Sequence, residues 1–113
     1  MQPKTPKLLV DISDAASFIL DSTRAATVGD YIQNRQMRQA VERNFEIIGE
    51  AVNRLIRLAL TTAAKISNTE KTVAFRNVLI HGYDSIDDKE MWQVIINSVP
   101  KLLGEVERLL GTG

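Results

Sequence analysis

The chain has 113 residues, 44% of them apolar and 25% charged, which is typical of one globular domain, here predicted over residues 1–113. It contains no cysteine, so a disulfide framework, a thiolate zinc site and a cysteine nucleophile are excluded. Basic and acidic residues each number 14, so the general basic excess of nucleic-acid-binding proteins is missing, although a local basic patch is still allowed. Because we find neither a signal peptide nor a run of about 20 apolar residues, we predict a cytoplasmic protein without a membrane segment.

The residue pattern predicts helices throughout, since no segment alternates apolar and polar residues as a half-buried strand does. The first helix is predicted over about residues 6–25, with Thr5 as its N-cap residue. Thr27 and Asp30 have the spacing of a capping box, with aspartate in the glutamate position. They predict a turn or a short helix over residues 28–33.

The longest helix is predicted over about residues 34–64, where apolar residues step by four, three, four, three and four positions. Such steps place them on one side of a helix. The apolar stripe consists of Val41, Phe45, Ile48, Val52, Leu55 and Ala59. The opposite side carries Arg43, Glu50, Arg54 and Arg57. This charged stripe is typical of a solvated face with ion pairs.

A short third helix is predicted over about residues 68–80. Ser67 and Glu70 have capping-box spacing at its start. Gly82 follows its end, where a left-handed C-terminal cap commonly lies.

The last helical segment is predicted over about residues 88–110, with Ser85 and Asp87 as N-cap candidates. Pro100 must kink this segment or divide it in two. The chain is therefore predicted to be all-α, an up-and-down bundle of four helices, or of five if Pro100 divides the last one.

One pair of residues is suited to acid–base chemistry. His81 is the only histidine, and Arg76 precedes it by five positions. Residues five apart on a regular helix differ by about 140° in direction, so the two side chains converge only if the last turn loosens near Gly82 or if the site lies across two subunits. The spacing alone also fits a structural role, since a histidine at a helix end often caps carbonyls and an arginine one turn earlier often forms an ion pair.

RNA cleavage would use both side chains. The 2′-hydroxyl must lose a proton to attack the adjacent phosphorus, and the leaving 5′-oxygen must gain one, which an imidazole such as that of His81 can mediate. The guanidinium of Arg76 matches the charge of the phosphorane with two N–H groups. Asn77 is suited to orienting the phosphate or the imidazole. Such a site needs no metal and no cofactor.

The stretch from Arg76 to Tyr83, R-N-V-L-I-H-G-Y, resembles the R-x4-H-x-Y motif of HepT toxins in the HEPN superfamily. The similarity extends over nearly the whole chain, in order and with suitable spacing. Further similar segments lie at residues 8–12, 39–43, 47–51, 91–94 and 99–102. One departure concerns the loop before the motif helix, where relatives commonly have a Pro-Trp pair and this chain has residues 66–75.

The resemblance implies a HEPN-like bundle that forms homodimers, with two copies of the motif beside a shared cleft. It implies a metal-independent endoribonuclease toxin of a HEPN/MNT toxin–antitoxin system, with Arg76 and His81 as catalytic residues and Asn77 in a supporting role. The implied partners are RNA and an MNT-type nucleotidyltransferase antitoxin that silences the toxin by AMPylation of Tyr83. Glu50 is assigned to the wall of the same cleft.

Two other functions are compatible with the sequence. The chain could be a non-catalytic HEPN module that binds a nucleotidyltransferase or presents its substrate. It could also be a dimeric scaffold that binds partners through the stripe of Arg43, Arg54 and Arg57.

Overall fold

The computed structural model describes residues 4–112, without the side chains of Tyr83 and Thr112. Every regular element in this part of the chain is helical, which confirms the all-α class. The elements in order are α1 (Lys4–Thr23), α2 (Val28–Gln33), α3 (Arg35–Leu58), α4 (Leu60–Ala63), α5 (Thr69–His81), a 3-10 turn (Tyr83–Ser85), α6 (Asp88–Asn97) and α7 (Val99–Thr112). None of these described helices is long and apolar enough to cross a bilayer.

Helix α3 lies at the centre of the bundle. It packs against α1 on one side and α5 on the other, while α7 covers α1 and the short α2 contacts both α3 and α6. The predicted apolar stripe forms the core side of α3, since five of its six members are buried. These are Val41, Phe45, Ile48, Val52 and Leu55. The period of apolar residues therefore fixes which side of α3 faces inward, and the charged residues lie on the other side.

Of the caps predicted for the first two helices, the one at α1 does not form and the one at α2 does. The prediction that Thr5 caps the first helix is wrong, because α1 includes Lys4 and the Thr5 side chain is fully buried within its first turn. The capping box at α2 is confirmed. The backbone N–H of Asp30 donates to Thr27 Oγ1 at 3.1 Å, and the backbone N–H of Thr27 donates to the Asp30 carboxylate at 2.9 Å.

The long helix ends earlier than predicted. It stops at Leu58, and Ala59 leaves the helical conformation (φ −151°, ψ 70°) before the single turn of α4. Neither glycine nor proline marks this position, so the local sequence gave no signal for it. The backbone N–H of Ala59 still donates to the carbonyl of Leu55 at 2.8 Å, which satisfies one of the last carbonyls of α3.

The capping box predicted at Ser67 and Glu70 does not form. The backbone N–H and the hydroxyl of Ser67 instead donate to the two carboxylate oxygens of Glu105 on α7, at 3.1 Å and 2.6 Å. Asn68, in the left-handed region with φ 59°, then leads into α5. A tertiary contact has therefore taken the hydroxyl that the local pattern assigned to a cap, and it ties the loop before α5 to α7.

The left-handed cap predicted at Gly82 is also wrong, because its φ is −124°. The helix keeps its hydrogen bonding to the end, since the Gly82 N–H donates to the carbonyl of Val78 at 2.8 Å. The backbone N–H and the hydroxyl of Ser85 then both donate to the carbonyl of Gly82, at 2.9 Å and 2.8 Å. The chain thus leaves α5 through a 3-10 turn.

Asp87 caps α6 as predicted, because its side chain accepts from the backbone N–H groups of Lys89 at 2.9 Å and Glu90 at 3.3 Å. The last segment is divided rather than kinked. The division falls at Ser98, and Pro100 occupies the second position of α7, where a missing N–H costs no helical hydrogen bond. Five longer helices, with two short ones between them, therefore form the described bundle.

A small polar cluster lies where α2, α3 and α6 meet. The ring of Tyr31 is fully buried 5.7 Å from that of Trp92, and its hydroxyl has no hydrogen-bond partner within residues 4–112. Glu42 lies nearby, and burial raises the pKa of its carboxyl, with Asp88 adding to the rise and Arg38 opposing it. In this cluster, burial disfavours the charged form of the Glu42 carboxyl.

Candidate active site

The crossing of α3 and α5 depends on a glycine. Gly49 is buried on α3, and a Cβ atom placed on it would lie 2.3 Å from the Cβ and 2.9 Å from the Cγ of Arg76. Real side chains do not approach this closely, so the two helices pack at a distance that only glycine permits. The stem of Arg76 therefore runs directly over the backbone of α3.

The guanidinium of Arg76 is held at two of its nitrogen atoms. Its Nη2 lies 3.0 Å from Glu50 Oε2, and its Nη1 donates to Asn77 Oδ1 at 3.1 Å. The other oxygen of Glu50 accepts from Arg54 Nε at 2.9 Å. Three of the predicted site residues are thus brought together at one crossing, with Arg54 as a fourth member.

Burial differs along the Arg76 side chain. As a whole it is 25% exposed, but its Nε atom is buried and has no hydrogen-bond partner within residues 4–112. The stem is covered by the helix crossing, and Asn77 beside it is exposed. The terminal nitrogens are therefore the part of Arg76 that a ligand can reach.

His81 lies at the exposed end of the same helix. It is the last residue of α5, and the helix remains regular up to this point because of the bond from Gly82 to Val78. Arg76 and His81 consequently keep the offset of about 140° that a regular helix imposes. Arg76 faces α3 and His81 faces outward, so the last turn does not loosen to bring them together within one chain.

Tyr83 begins the 3-10 turn that follows α5. Its backbone therefore lies two residues beyond His81, at the same end of the helix. The predicted modification at its hydroxyl concerns a side chain outside the described residues.

Residues 4–112 contain no group of three or more histidine, aspartate or glutamate side chains that could hold a metal ion. The polar atoms at the crossing are instead two guanidinium groups, one carboxylate and one amide. This set is suited to binding a phosphate through N–H donors.

Two contributions to this site were missed in the sequence. The charged stripe predicts only a solvated Arg54, although its spacing of four positions from Glu50 is a signal for an ion pair on a helix. Gly49 lies within the similar segment at residues 47–51, where nothing in the residue pattern marks it as a packing position. Its contact with Arg76 joins two helices far apart in the chain, and no local pattern reports such a contact.

Comparison with known proteins identifies the class. An RNase of Methanocaldococcus jannaschii, so named provisionally, is 35% identical over 88% of this chain and 90% of its own length. A provisionally named ribonuclease HepT of Thermococcus cleftensis is 31% identical over 89% of this chain and 91% of its own length. A provisionally named RNase of Caldanaerobacter subterraneus is 28% identical over 95% of this chain and 96% of its own length. No solved structure matches the chain.

The model of the ribonuclease HepT-like family matches residues 12–109, and the chain belongs to this family. The matched region runs from the middle of α1 to the last turn of α7 and includes the whole crossing of α3 and α5. The predicted resemblance to HepT-like proteins of the HEPN type and the predicted ribonuclease class are therefore confirmed.

Proposed function

We propose that this chain is a metal-independent endoribonuclease, with Arg76 and His81 as its catalytic residues, and that it is the toxin of a HEPN/MNT toxin–antitoxin system in the cytoplasm. The observation that carries the proposal is the fixed guanidinium of Arg76, whose terminal nitrogens are reachable on the same helix as the exposed His81. An electrostatic site of this kind acts best when its donors are already oriented before the substrate binds.

The chemistry divides between the two side chains. His81 takes the proton of the 2′-hydroxyl or supplies the proton to the 5′-oxygen, since an imidazole can do either near neutral pH. The 2′-oxygen bonds to phosphorus while the bond to the 5′-oxygen breaks. Arg76 stabilises the negative charge of the phosphorane through two N–H groups. The products are a 2′,3′-cyclic phosphate and a free 5′-hydroxyl.

A homodimer completes the proposed site. The outward stripe of α5, which we define as Glu70, Ala74, Asn77, Val78 and His81, is exposed along its whole length. Val78, about one turn before His81 on this stripe, is 45% exposed and offers an apolar side chain for a contact between copies. If two copies pair in antiparallel fashion about Val78, through residues 75–81, His81 of each copy comes opposite residue 75 of the other and on the same face as its Asn77. Asn77 accepts from Arg76 Nη1, so the guanidinium borders this face although the stem of Arg76 lies against α3.

The nuclease proposal is tested with purified protein and a short RNA in the presence of EDTA. We expect cleavage that ends in a cyclic phosphate, and no cleavage where the nucleotide on the 5′ side of the bond lacks its 2′-hydroxyl. Arg76→Ala and His81→Ala should fold and lose the activity. Equal cleavage by both folded variants, or products with a 3′-hydroxyl, would contradict the proposal and favour the non-catalytic module.

The dimer proposal has its own test. Val78→Glu places two carboxylates at the proposed two-fold axis, so we expect a monomer in light scattering and a loss of cleavage. Ile96→Glu is the matched control, because Ile96 is 50% exposed on α6, away from the stripe. A wild-type protein that is monomeric at micromolar concentration and still cleaves RNA would exclude the shared site.

We also propose regulation by an antitoxin at Tyr83, which lies two residues beyond His81 in the chain. An AMP group two residues beyond His81 would add bulk and negative charge where an RNA phosphate must bind. We expect Tyr83→Phe to retain cleavage and to escape silencing by a co-expressed MNT-type nucleotidyltransferase. Continued silencing of this variant, without modification of it, would overturn the assignment.

A further inference from the structure

Glu50 contacts two arginines at once. Its Oε2 lies 3.0 Å from Arg76 Nη2 on α5, and its Oε1 accepts from Arg54 Nε one turn further along α3. The carboxylate therefore uses both oxygens, and Arg54 keeps it from rotating away from Arg76. A solvated glutamate on a helix surface normally has neither restraint.

The guanidinium of Arg76 has contacts at both of its terminal nitrogens. Glu50 binds Nη2 and Asn77 binds Nη1, while the stem is pressed against Gly49. Contacts at both terminal nitrogens fix the plane of the guanidinium. Each terminal nitrogen has two hydrogens, and Asn77 accepts one of those on Nη1, so N–H groups remain on both nitrogens for a phosphate. The geometry thus leaves a two-pronged donor of fixed direction.

We propose that Glu50 is a positioning residue, which orients the guanidinium of Arg76 toward the scissile phosphate. This inference rests on the proposed nuclease function and deepens it. Glu50 also weakens the attraction for substrate, because its negative charge repels the phosphates of RNA and partly neutralises the charge of Arg76. It therefore raises the rate of the chemical step and weakens, or leaves unchanged, the binding of substrate.

These two opposite effects define the experiment. Glu50→Gln and Glu50→Ala are assayed for single-turnover cleavage, and their Kd is measured for the same RNA with a deoxynucleotide at the cleavage position. We expect the single-turnover rate to fall about tenfold to a hundredfold, as displaced catalytic groups commonly cause. We expect the Kd to stay equal or to become smaller. Loss of packing alone does not produce tighter binding together with slower chemistry.

A matched control removes the same charge from the same helix. Glu46 lies one turn before Glu50 on α3 and forms no ion pair within the described part of the chain. Glu46→Gln should leave the cleavage rate unchanged. Far-UV circular dichroism and melting curves give the folded fraction of each variant, and rates are expressed per folded protein, so a partly unfolded variant still gives an answer.

The outcomes distinguish a failure of the role proposed for Glu50 from a failure of the proposed nuclease function. Wild-type rates for both Glu50 variants would show that Glu50 is only a solvated surface charge, and faster cleavage would show that it restrains Arg76. Either result overturns the inference while Arg76→Ala and His81→Ala still abolish cleavage. If those two variants retain cleavage, the proposed function itself fails.

Discussion

Replacement of Gly49 by alanine tests the helix crossing that holds Arg76. The new Cβ atom would lie 2.3 Å from the Cβ of Arg76, whereas carbon atoms in contact are about 3.5 Å apart or more. The atom it meets is fixed to the backbone of α5, so a rotamer change cannot relieve the overlap. Helix α5 must therefore move by roughly 1 Å relative to α3.

The cost of Gly49→Ala has two parts of opposite sign. Overpacking a well-packed interior costs about 1–3 kcal/mol, and alanine in place of glycine inside a helix returns about 0.5–1 kcal/mol. We expect a net destabilisation of about 1–2 kcal/mol, which lowers the Tm by about 4–8 °C in a domain of this size. The displacement of the guanidinium should lower the cleavage rate about a hundredfold, well beyond the loss of folded protein.

Gly104→Ala is the matched control, because a Cβ at this position on α7 meets no atom within 4 Å. It should raise the free energy of unfolding by about 0.5–1 kcal/mol and leave cleavage unchanged. Thermal unfolding followed by circular dichroism and cleavage of a labelled RNA measure both quantities. Gly49→Ala with a wild-type rate and an unchanged or higher Tm would refute the argument that the crossing needs glycine.

Three further predictions concern stability. Thr27→Ala removes the capping box of α2 and should lower the free energy of unfolding by about 1 kcal/mol in urea titrations, and an unchanged value would show that the cap contributes nothing. Glu42→Gln should raise the Tm near neutral pH. Burial raises the pKa of the Glu42 carboxyl in the folded state, so the protonated carboxyl favours folding, and this contribution to stability is lost as the pH rises through the folded-state pKa. This gain should disappear below about pH 4, where glutamate is protonated in the unfolded chain as well; a gain that persists there has another cause. Tyr31→Phe removes a buried hydroxyl without a partner in residues 4–112 and should raise the free energy of unfolding by about 1 kcal/mol, whereas a loss of similar size would reveal a hydrogen bond to that oxygen.

The sequence was most informative where the chain follows local rules. The apolar period on α3, the capping box at Thr27 and the cap at Asp87 all depend on residues within one or two turns of each other, and all three formed. The cap at Ser67 failed because Glu105, 38 positions away, binds its hydroxyl. Long-range competition of this kind is invisible in a local pattern.

The candidate site likewise combines a feature that local spacing predicts with contacts that depend on how two helices pack. The helical offset between Arg76 and His81 follows from their spacing, and the structure keeps it. The contact between Arg76 and Glu50 spans two helices, and the approach at Gly49 depends on how closely those helices pack. Residue types and spacing predict which groups are available, but the packing distance decides which of them meet.

The hydrogen bonds between Ser67 and Glu105 have a consequence for synthesis of the chain. They tie the segment just before α5 to α7, which leaves the ribosome after α5 because it follows α5 in the chain. A growing chain that still lacks α7 has no Glu105 carboxylate to hold this segment, so the loop before the helix that carries Arg76 and His81 is secured only once α7 has been made. Any activity that depends on the position of this loop would therefore arise only after α7 has folded against it.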